Sequence, residues 1–177
     1  TMARQMRALV ESLLELARLD AGGLDAAPKP LDLSALVSDA VLPFEPVYFE
    51  RGLELACRIE AGVRVRGSEA RLRQLADILL DNAAKYAAPH SQVTVTLARR
   101  GGRGLLSVSS AGAPIPAEEL ESIFLRFYRA DKARRRDGSF GVGLSIAREI
   151  VQAHRGRIWA ESGDGRNVFH AELPAPR

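Results

Sequence analysis

Two short stretches of the sequence could bind a phosphorylated ligand. The first is the glycine-rich run from Gly138 to Leu144, which opens a helical pattern of apolar residues. Glycines let backbone amides approach an anion closely, and a helix N-terminus behind them adds unpaired N–H groups and partial positive charge. The spacing Gly-x-x-Gly-x-Gly is neither a P-loop nor the dinucleotide-binding fingerprint. A phosphate is the ligand that this turn predicts, and an ordinary glycine-rich loop is the alternative.

The second stretch, residues 79–86, places an amide beside an ammonium group. It ends a predicted helix whose N-cap is Ser68, without a full capping box. One face of this helix is apolar at steps of three and four residues: Leu72, Leu75, Leu79 and Ala83. Asn82 and Lys85 are three residues apart and are therefore neighbours on the helix surface. This pair suits Mg²⁺ and a polyphosphate, but it also fits a helix whose polar face only meets solvent.

Other patterns predict the elements that must hold these two stretches in place. Four segments read as strands, namely residues 53–59, 63–66, 92–99 and 105–109. The last two flank Gly101-Gly102-Arg103-Gly104, which predicts a hairpin. Residues 31–51 predict a helix interrupted near Pro43 and Pro46, and residues 116–123 predict a short helix. With a last helix and two closing strands, the pattern predicts an α/β two-layer sandwich, a mixed sheet with helices on one face.

Residues 1–22 predict a helix that packs in a bundle. Apolar residues recur at steps of three and four in two adjacent stripes: Met2, Met6, Leu9, Leu13 and Leu16, with Val10, Leu14 and Ala17 beside them. Two stripes predict more than one packing neighbour, although an ordinary core helix is the alternative for so short a repeat. Gly22-Gly23 predicts its end. We therefore divide the chain into this helix, a linker at residues 23–30 and a domain at residues 31–177.

The composition excludes several classes of protein. With 46% hydrophobic residues, the 177-residue chain is of globular rather than disordered type. A net charge of +3 is mild, and no basic patch with interleaved aromatic residues favours nucleic acid binding. Cys57 is the only cysteine, which excludes an internal disulfide. No run is long enough to span a membrane and no signal-peptide pattern is present, so we expect a cytoplasmic setting.

Taken together and in chain order, these stretches resemble the ATP-binding domain of bacterial sensor histidine kinases. Four segments resemble its sequence boxes: residues 67–86 the asparagine box, 108–116 a degenerate first glycine box, 123–131 the phenylalanine box and 138–146 the second glycine box. Residues 154–162 and 168–174 resemble its closing strand pair. That domain has the Bergerat-type ATP-binding fold, which gyrase, the Hsp90 chaperones and MutL share. The sequence Pro114-Ile115-Pro116 in the first glycine box resembles the form that this box takes in the heavy-metal-sensing subgroup.

The resemblance implies ATP and Mg²⁺ as ligands and gives roles to particular residues. Asn82 would be the metal ligand, and Asn82 with Lys85 would be the catalytic pair beside the phosphates. The other nucleotide-binding residues that it implies are Tyr86, Ser110, Gly112, Ile115, Arg129, Gly141, Val142, Gly143 and Leu144. Among these, Tyr86 and Ser110 would border the adenine, while Gly141 and Gly143 would face the triphosphate. Arg129 and the arginine-rich residues 130–138 would belong to a lid that orders on nucleotide.

The resemblance also implies what the whole protein does. It would transfer the γ-phosphoryl group of ATP to a histidine on a dimerisation domain, and then to an aspartate of a response-regulator receiver domain. Residues 1–22 resemble the end of a dimerisation helix, which implies a homodimer, and the whole sensor would be anchored in the inner membrane.

The three histidines do not supply the phosphoacceptor. None of His90, His154 and His170 stands in the expected His-Glu-x-x-Thr-Pro setting. His90 lies in a predicted turn, and alternation in the last strand turns His170 outward. His154 lies near a helix C-terminus, where a cation is favoured.

Two departures from the family pattern leave rival functions open. The family usually has Asp, which accepts a bond from the adenine amino group, where this chain has Ser110. Many members carry Asn, and the ATP-hydrolysing relatives a general-base Glu, where this chain has Ile78, which has no proton to move. The rivals are a nucleotide-binding pseudokinase, which these departures favour, and an anti-sigma-factor serine kinase. The predicted dimerisation helix favours the histidine kinase over the second rival.

Overall fold

The computed structural model describes residues 1–22, 27–128 and 142–176, and the strands in these ranges form two sheets. The strands are β1 (Lys29–Asp32), β2 (Glu54–Ile59), β3 (Arg64–Gly67), β4 (Gln92–Arg100), β5 (Arg103–Ala111), β6 (Arg157–Gly163) and β7 (Arg166–Pro174). β1 pairs with β3, and the other five form one sheet in the order β2-β4-β5-β7-β6. Only the pair β2 and β4 is parallel within this sheet, so the predicted mixed α/β arrangement is confirmed.

The helices supply the second layer. They are α1 (Met2–Gly22), α2 (Leu33–Val41), α3 (Phe44–Glu50), α4 (Glu69–Tyr86) and α5 (Gly143–Ala153). The helix predicted at residues 31–51 is interrupted at Leu42 and Pro43, as expected, whereas Pro46 lies within the first turn of α3, where its missing N–H is tolerated. Residues 31 and 32 belong to β1 instead. The short helix predicted at residues 116–123 is instead two 3₁₀ turns, Ala117–Glu119 and Ser122–Phe124. Only the second turn is anchored, by buried Ile123 and Phe124, so no apolar face spans both.

The core lies between the helices and one face of the main sheet. Its strand residues alternate along β4, β5 and β7: Val93, Val95, Leu97, Leu106, Val108, Phe169, Ala171 and Leu173. α4 and α5 meet them with buried Leu and Ile side chains, including Leu75, Leu79, Ile146 and Ile150. Because side chains alternate between the faces of a strand, Thr96 and His170 point to the other face. This two-layer packing fixes α4 and α5 side by side.

The hairpin predicted around residues 101–104 is present, with a tighter turn. β4 ends at Arg100 and β5 begins at Arg103, so the turn consists of Gly101 and Gly102. Their φ angles are 55° and 76°, in the region that glycine adopts without a steric cost.

The structure differs from the sequence prediction at the segment before α2. Residues 23–30 read as a linker, but β1 already begins at Lys29 and pairs with β3. The pairing brings Leu31 into the core, where it is 8% exposed. Pro30 fits because β1 is an edge strand of a two-stranded sheet, where a missing N–H is tolerated. The short strand escaped prediction because its partner is distant in sequence.

Helix α1 touches the domain near one point. Leu16 is buried and α1 packs against α5, while Glu15 forms an ion pair with Arg71 of α4. The members of the predicted stripes that the structure leaves exposed are Met2, Met6, Val10, Leu13, Leu14 and Ala17. Within the described residues α5 is the main packing neighbour of α1, and the bundle stays a prediction.

Candidate functional site

The candidate site is built on the exposed side of α4. The helix begins where predicted, because the Ser68 hydroxyl accepts a hydrogen bond from the N–H of Arg71 at 3.4 Å. Burial of Leu72, Leu75 and Leu79 fixes which side faces the core. Beside this buried face, α4 carries four partly exposed residues, Ile78, Asn82, Lys85 and Tyr86, which we call the α4 strip. Asn82 and Lys85 are thus neighbours at the surface, as their spacing predicts.

The N-terminus of α5 lies against the start of the α4 strip. A Cβ atom added to Gly143 would lie 3.8 Å from Cγ2 of Ile78, which is ordinary contact distance. Val142 caps the helix and is buried, while the Ser145 hydroxyl donates to the Val142 carbonyl at 2.7 Å. The first N–H groups of a helix have no acceptor within it. Residues 142–146, the described part of the second glycine box, therefore present backbone donors and partly buried Leu144 next to the strip.

The first glycine box lies against the opposite end of the strip. A Cβ atom on Gly112 would lie 3.0 Å from the carbonyl oxygen of Tyr86, closer than most real contacts. The N–H of Ala88 donates to the carbonyl of Ala111 at 2.8 Å, which ties the two segments together. The close approach of the two backbones therefore favours glycine at position 112.

Two residues that the sequence analysis missed brace the loop after β5. The Ser162 hydroxyl accepts from the N–H of Ile115 at 2.9 Å and donates to Oδ1 of Asn167 at 2.6 Å. The Asn167 amide in turn donates to the carbonyl of Ala113 at 2.9 Å. Ser162 and Asn167 face each other across β6 and β7. The available signal was a pair of polar residues flanking the turn between the closing strands.

Ser110 lies in β5 below this loop. It pairs with Val93 on one side and Asn167 on the other, and it is 7% exposed. Ile115, at the end of the loop, is partly buried against the core. A side chain at position 110 is therefore confined, and any larger replacement must find a partner within the fold.

The charged residues of α4 form two ion pairs along one edge of the helix. Nζ of Lys85 lies 2.8 Å from a carboxylate oxygen of Asp81, and Nε of Arg73 lies 3.4 Å from a carboxylate oxygen of Asp77. Both pairs have i,i+4 spacing, and such exposed pairs contribute about 0–1 kcal/mol each. The predicted phosphate-binding ammonium of Lys85 is thus engaged by a carboxylate that the sequence analysis did not consider.

The structure brings most of the predicted site together. Asn82, Lys85 and Tyr86 share one strip, Gly143 lies at its start and Gly112 at its end. Arg129 and Gly141 lie outside the described residues, as does the predicted lid at residues 130–138. Their roles stay predictions.

The expectation that a cation is favoured at His154 is wrong. Nε2 of His154 accepts a hydrogen bond from the N–H of Ser68 at 3.0 Å, and Nδ1 lies 2.7 Å from the carbonyl of Ile150. One ring nitrogen must accept and the other must donate, so the ring is neutral. Burial lowers the pKa of His154, and this effect is larger than the opposite effect of the hydrogen bond to Ile150. His90 lies in an exposed turn, and His170 lies on the outer face of the sheet, as predicted.

Comparison with known proteins identifies the family. Residues 67–177, which include all of the site described above, match the family described as "Histidine kinase-, DNA gyrase B-, and HSP90-like ATPase". The chain belongs to this family. A domain of this family binds ATP, and the relatives make this one the ATP-binding catalytic domain of a sensor histidine kinase of two-component signalling.

Two curated relatives of the kinase domain are similar over nearly all of it. Sensor protein DltS of Streptococcus agalactiae is 34% identical over 171 residues, covering 97% of this chain and 43% of the relative. Sensor histidine kinase TrcS of Mycobacterium tuberculosis is 38% identical over 192 residues, covering 97% of this chain and 34% of the relative. The chain therefore spans less than half the length of these relatives.

Solved structures agree with the fold of the kinase domain. Full-length ShkA in complex with AMPPNP is 26% identical with a TM-score of 0.82, over 94% of this chain and 35% of that one. ThkA in complex with the response regulator TrrA has a TM-score of 0.81 at 23% identity, over 98% of this chain and 49% of that one. At that identity the likeness is one of fold alone. Among the described residues, no helix is both long and apolar enough to cross a membrane.

Proposed function

We propose that ATP binds along the α4 strip and that the whole protein transfers its γ-phosphoryl group to a histidine of a dimerisation domain. The observation that supports this most is the pair of contacts at the ends of the strip. Ile78 lies beside Gly143 and Tyr86 beside Gly112, with Asn82 between them. Eight residues of helix separate the two contacts, a length of about 12 Å. Two segments from distant parts of the chain, at Gly112 and at Gly143, thus flank one face of α4.

Mg²⁺ fits the chemistry of Asn82. Hard divalent cations prefer oxygen ligands, and Mg²⁺ is usually held by few protein groups together with substrate phosphates and water. The Asn82 side chain is partly exposed beside Lys85, so its amide oxygen can serve as the single protein ligand. Mg²⁺ bound there would neutralise part of the phosphate charge.

The remaining residues would then divide the nucleotide between two ends. The backbone at Gly143 and Leu144, with Val142, would hold phosphates at the α5 N-terminus. Lys85 would add a cation, and Arg129 and Gly141 would complete that end. Tyr86, Ser110, Gly112 and Ile115 would form the adenine end.

Catalysis on this domain would consist of positioning and charge neutralisation. Phosphoryl transfer needs the donor and acceptor oxygens in line and the developing charge stabilised. Ile78 occupies the position where ATP-hydrolysing relatives would need a general base, and an alkyl side chain moves no proton. Water attack is therefore not assisted there, which suits a phosphoryl donor. The same residue, with Ser110, favours a nucleotide-binding pseudokinase as the second candidate.

The proposal also covers the partners and the location of the whole protein. Response regulators would receive the phosphoryl group, and the exposed apolar residues of α1 would be covered in a homodimer. An inner-membrane anchor outside this chain would leave the domain in the cytoplasm. The heavy-metal-sensing subgroup is proposed only from Pro114-Ile115-Pro116.

Isothermal calorimetry tests nucleotide binding. The chain should bind ATP with Mg²⁺ and bind it more weakly when EDTA is added. Asn82→Ala should lower the affinity at least tenfold, or about 1.4 kcal/mol. Gln74→Ala, which removes an amide two turns earlier on α4, is the matched control and should bind as the unaltered chain does. Equal affinity for Asn82→Ala would refute the metal-binding role.

Transfer is tested separately with γ-labelled ATP. The chain alone should stay unlabelled, because His154 is buried and bonded on both nitrogens and neither His90 nor His170 has a phosphoacceptor setting. A separately purified dimerisation domain from the same protein should gain acid-labile label when the chain is added. ATP binding without any transfer would instead support the pseudokinase.

A further inference from the structure

We propose that Asp81 is a positioning residue that holds Lys85 away from the phosphate side of α4 until a nucleotide enters. The inference rests on the proposed function, since it takes the α4 strip as the phosphate side. Nothing in the sequence pattern assigned a role to Asp81. Its carboxylate is nevertheless the group that lies 2.8 Å from Nζ of Lys85.

The geometry of α4 places Lys85 between two competing partners. At 3.6 residues per turn, Lys85 is rotated by about 40° from Asp81 in one direction and by about 60° from Asn82 in the other. The ammonium group can therefore reach to either side with a change of side-chain rotamer alone. In this structure it is on the Asp81 side, and a phosphate near Asn82 would draw it to the other.

Lys85 is the ionic partner of Asp81, because the other nearby cations are bonded to different groups. Asp81 lies on the edge of α4 that lines an open groove with Pro43 and Phe44 of α3. Asp77, one turn earlier in the same groove, is paired with Arg73. Arg51, the nearby cation from the end of α3, donates to the carbonyl of Ala84 instead. The two carboxylates thus occupy equivalent positions with different partners.

Exposure makes the Lys85–Asp81 pair exchangeable. The Lys85 side chain is 28% exposed and that of Asp81 is 52% exposed. Ion pairs in such settings are weak, because water screens them and holding two long side chains costs entropy. A triphosphate with Mg²⁺ offers a stronger competing charge. Nucleotide binding must then break the pair, and Asp81 reduces ATP affinity by the free energy of that exchange.

Calorimetry on three variants separates this exchange from a general charge effect. Asp81→Asn should tighten ATP binding about fivefold, the size expected when a partly exposed ion pair no longer competes. Asp77→Asn is the matched control: it removes the same charge one turn away, leaves Lys85 paired, and should change affinity less than twofold. Asp81→Glu keeps a carboxylate within reach and should bind as the unaltered chain does.

The Lys85→Gln background supplies the decisive comparison. There Asp81→Asn should have no effect, because no ammonium remains to be released. An unchanged or lower ATP affinity for Asp81→Asn overturns the inference. So does an equal gain in Asp77→Asn, or a gain that persists in the Lys85→Gln background. If the unaltered chain binds no ATP, the proposed function itself fails. If the chain binds ATP and Asn82→Ala weakens that binding while Asp81→Asn does not tighten it, only the inference about Asp81 fails.

Discussion

The residue Ser110 is expected to weaken the recognition of adenine. It stands in β5 where related domains are expected to carry Asp, and its neighbours across the sheet are Val93 and Asn167. A serine hydroxyl accepts a hydrogen bond without charge and reaches less far than a carboxylate. A bond to a charged group contributes about 1.5–3 kcal/mol, and a serine recovers part of that. Adenine recognition should therefore be weaker here by about 1 kcal/mol.

Replacing Ser110 by Asp tests the role of this residue in adenine recognition. Ser110→Asp should tighten ATP binding several-fold while leaving GTP unchanged, because only adenine offers an amino donor at that ring position. Affinities of both nucleotides measured by calorimetry decide the matter, with Ser109→Asp as the control on the outward-facing neighbour. Unchanged or reduced ATP preference would mean that the adenine contact has moved. In that case the added carboxylate is buried without a partner, which is costly at a site 7% exposed.

Helix α1 contacts the domain around Leu16. Leu16 is 1% exposed, while Leu14, two residues earlier, is 53% exposed. The adjacent Glu15 adds an ion pair with Arg71, whose Nη1 also donates to Gln74 at 3.1 Å. Among the side chains that the structure describes, buried Leu16 and the Glu15–Arg71 ion pair connect the predicted dimerisation helix to α5 and α4.

Truncating Leu16 should release this connection. Leu16→Ala should lower the free energy of unfolding by about 2–4 kcal/mol, the usual cost of removing a buried leucine side chain. Urea denaturation followed by circular dichroism gives the value. Leu14→Ala has the same chemistry on the same helix and should cost much less, since its side chain is in solvent. Equal losses in the two variants would show that α1 does not pack on the domain through Leu16.

At the scale of the whole molecule, His154 ties the ends of two helices together. It links the C-terminus of α5 to the N-cap of α4, two segments 86 residues apart in sequence. Gly67 leaves room for the ring, since a Cβ atom there would lie 2.5 Å from Cδ2 of His154. Protonation would turn the accepting nitrogen into a second donor facing an N–H group, so the tie requires the neutral ring.

Stability should therefore depend on pH through His154. Burial lowers its pKa from the ordinary value of about 6.5, so on acidification the unfolded chain takes up a proton before the folded one. The stability that the neutral His154 ring contributes is complete above about pH 6.5 and is lost as the pH falls below that value. Urea midpoints at pH 7.5 and 5.5 should separate less in His154→Gln than in the unaltered chain. His90→Ala, at an exposed turn, should keep the full separation; the same separation in both variants would exclude His154 as the cause.

Most of the elements and the family could be predicted from the amino-acid sequence, because both depend on short-range patterns. The Ser68 cap, the apolar face of α4, the Gly101-Gly102 turn and the ordered boxes all depend on residues close together in the chain. Periodicity and turn chemistry act over a few residues, so they can be read without a structure. Asn82 and Lys85 were predicted as surface neighbours for the same reason.

The partner of each polar group, by contrast, is known only from the folded structure. Lys85 pairs with Asp81, Ser162 and Asn167 brace the loop beyond Ser110, and His154 is neutral. β1 forms because β3 lies beside it, although its own four residues carry little strand pattern. The physical reason is that hydrogen bonds and burial depend on which groups meet in space. Segments far apart in the chain meet only once the sheet and helices have packed.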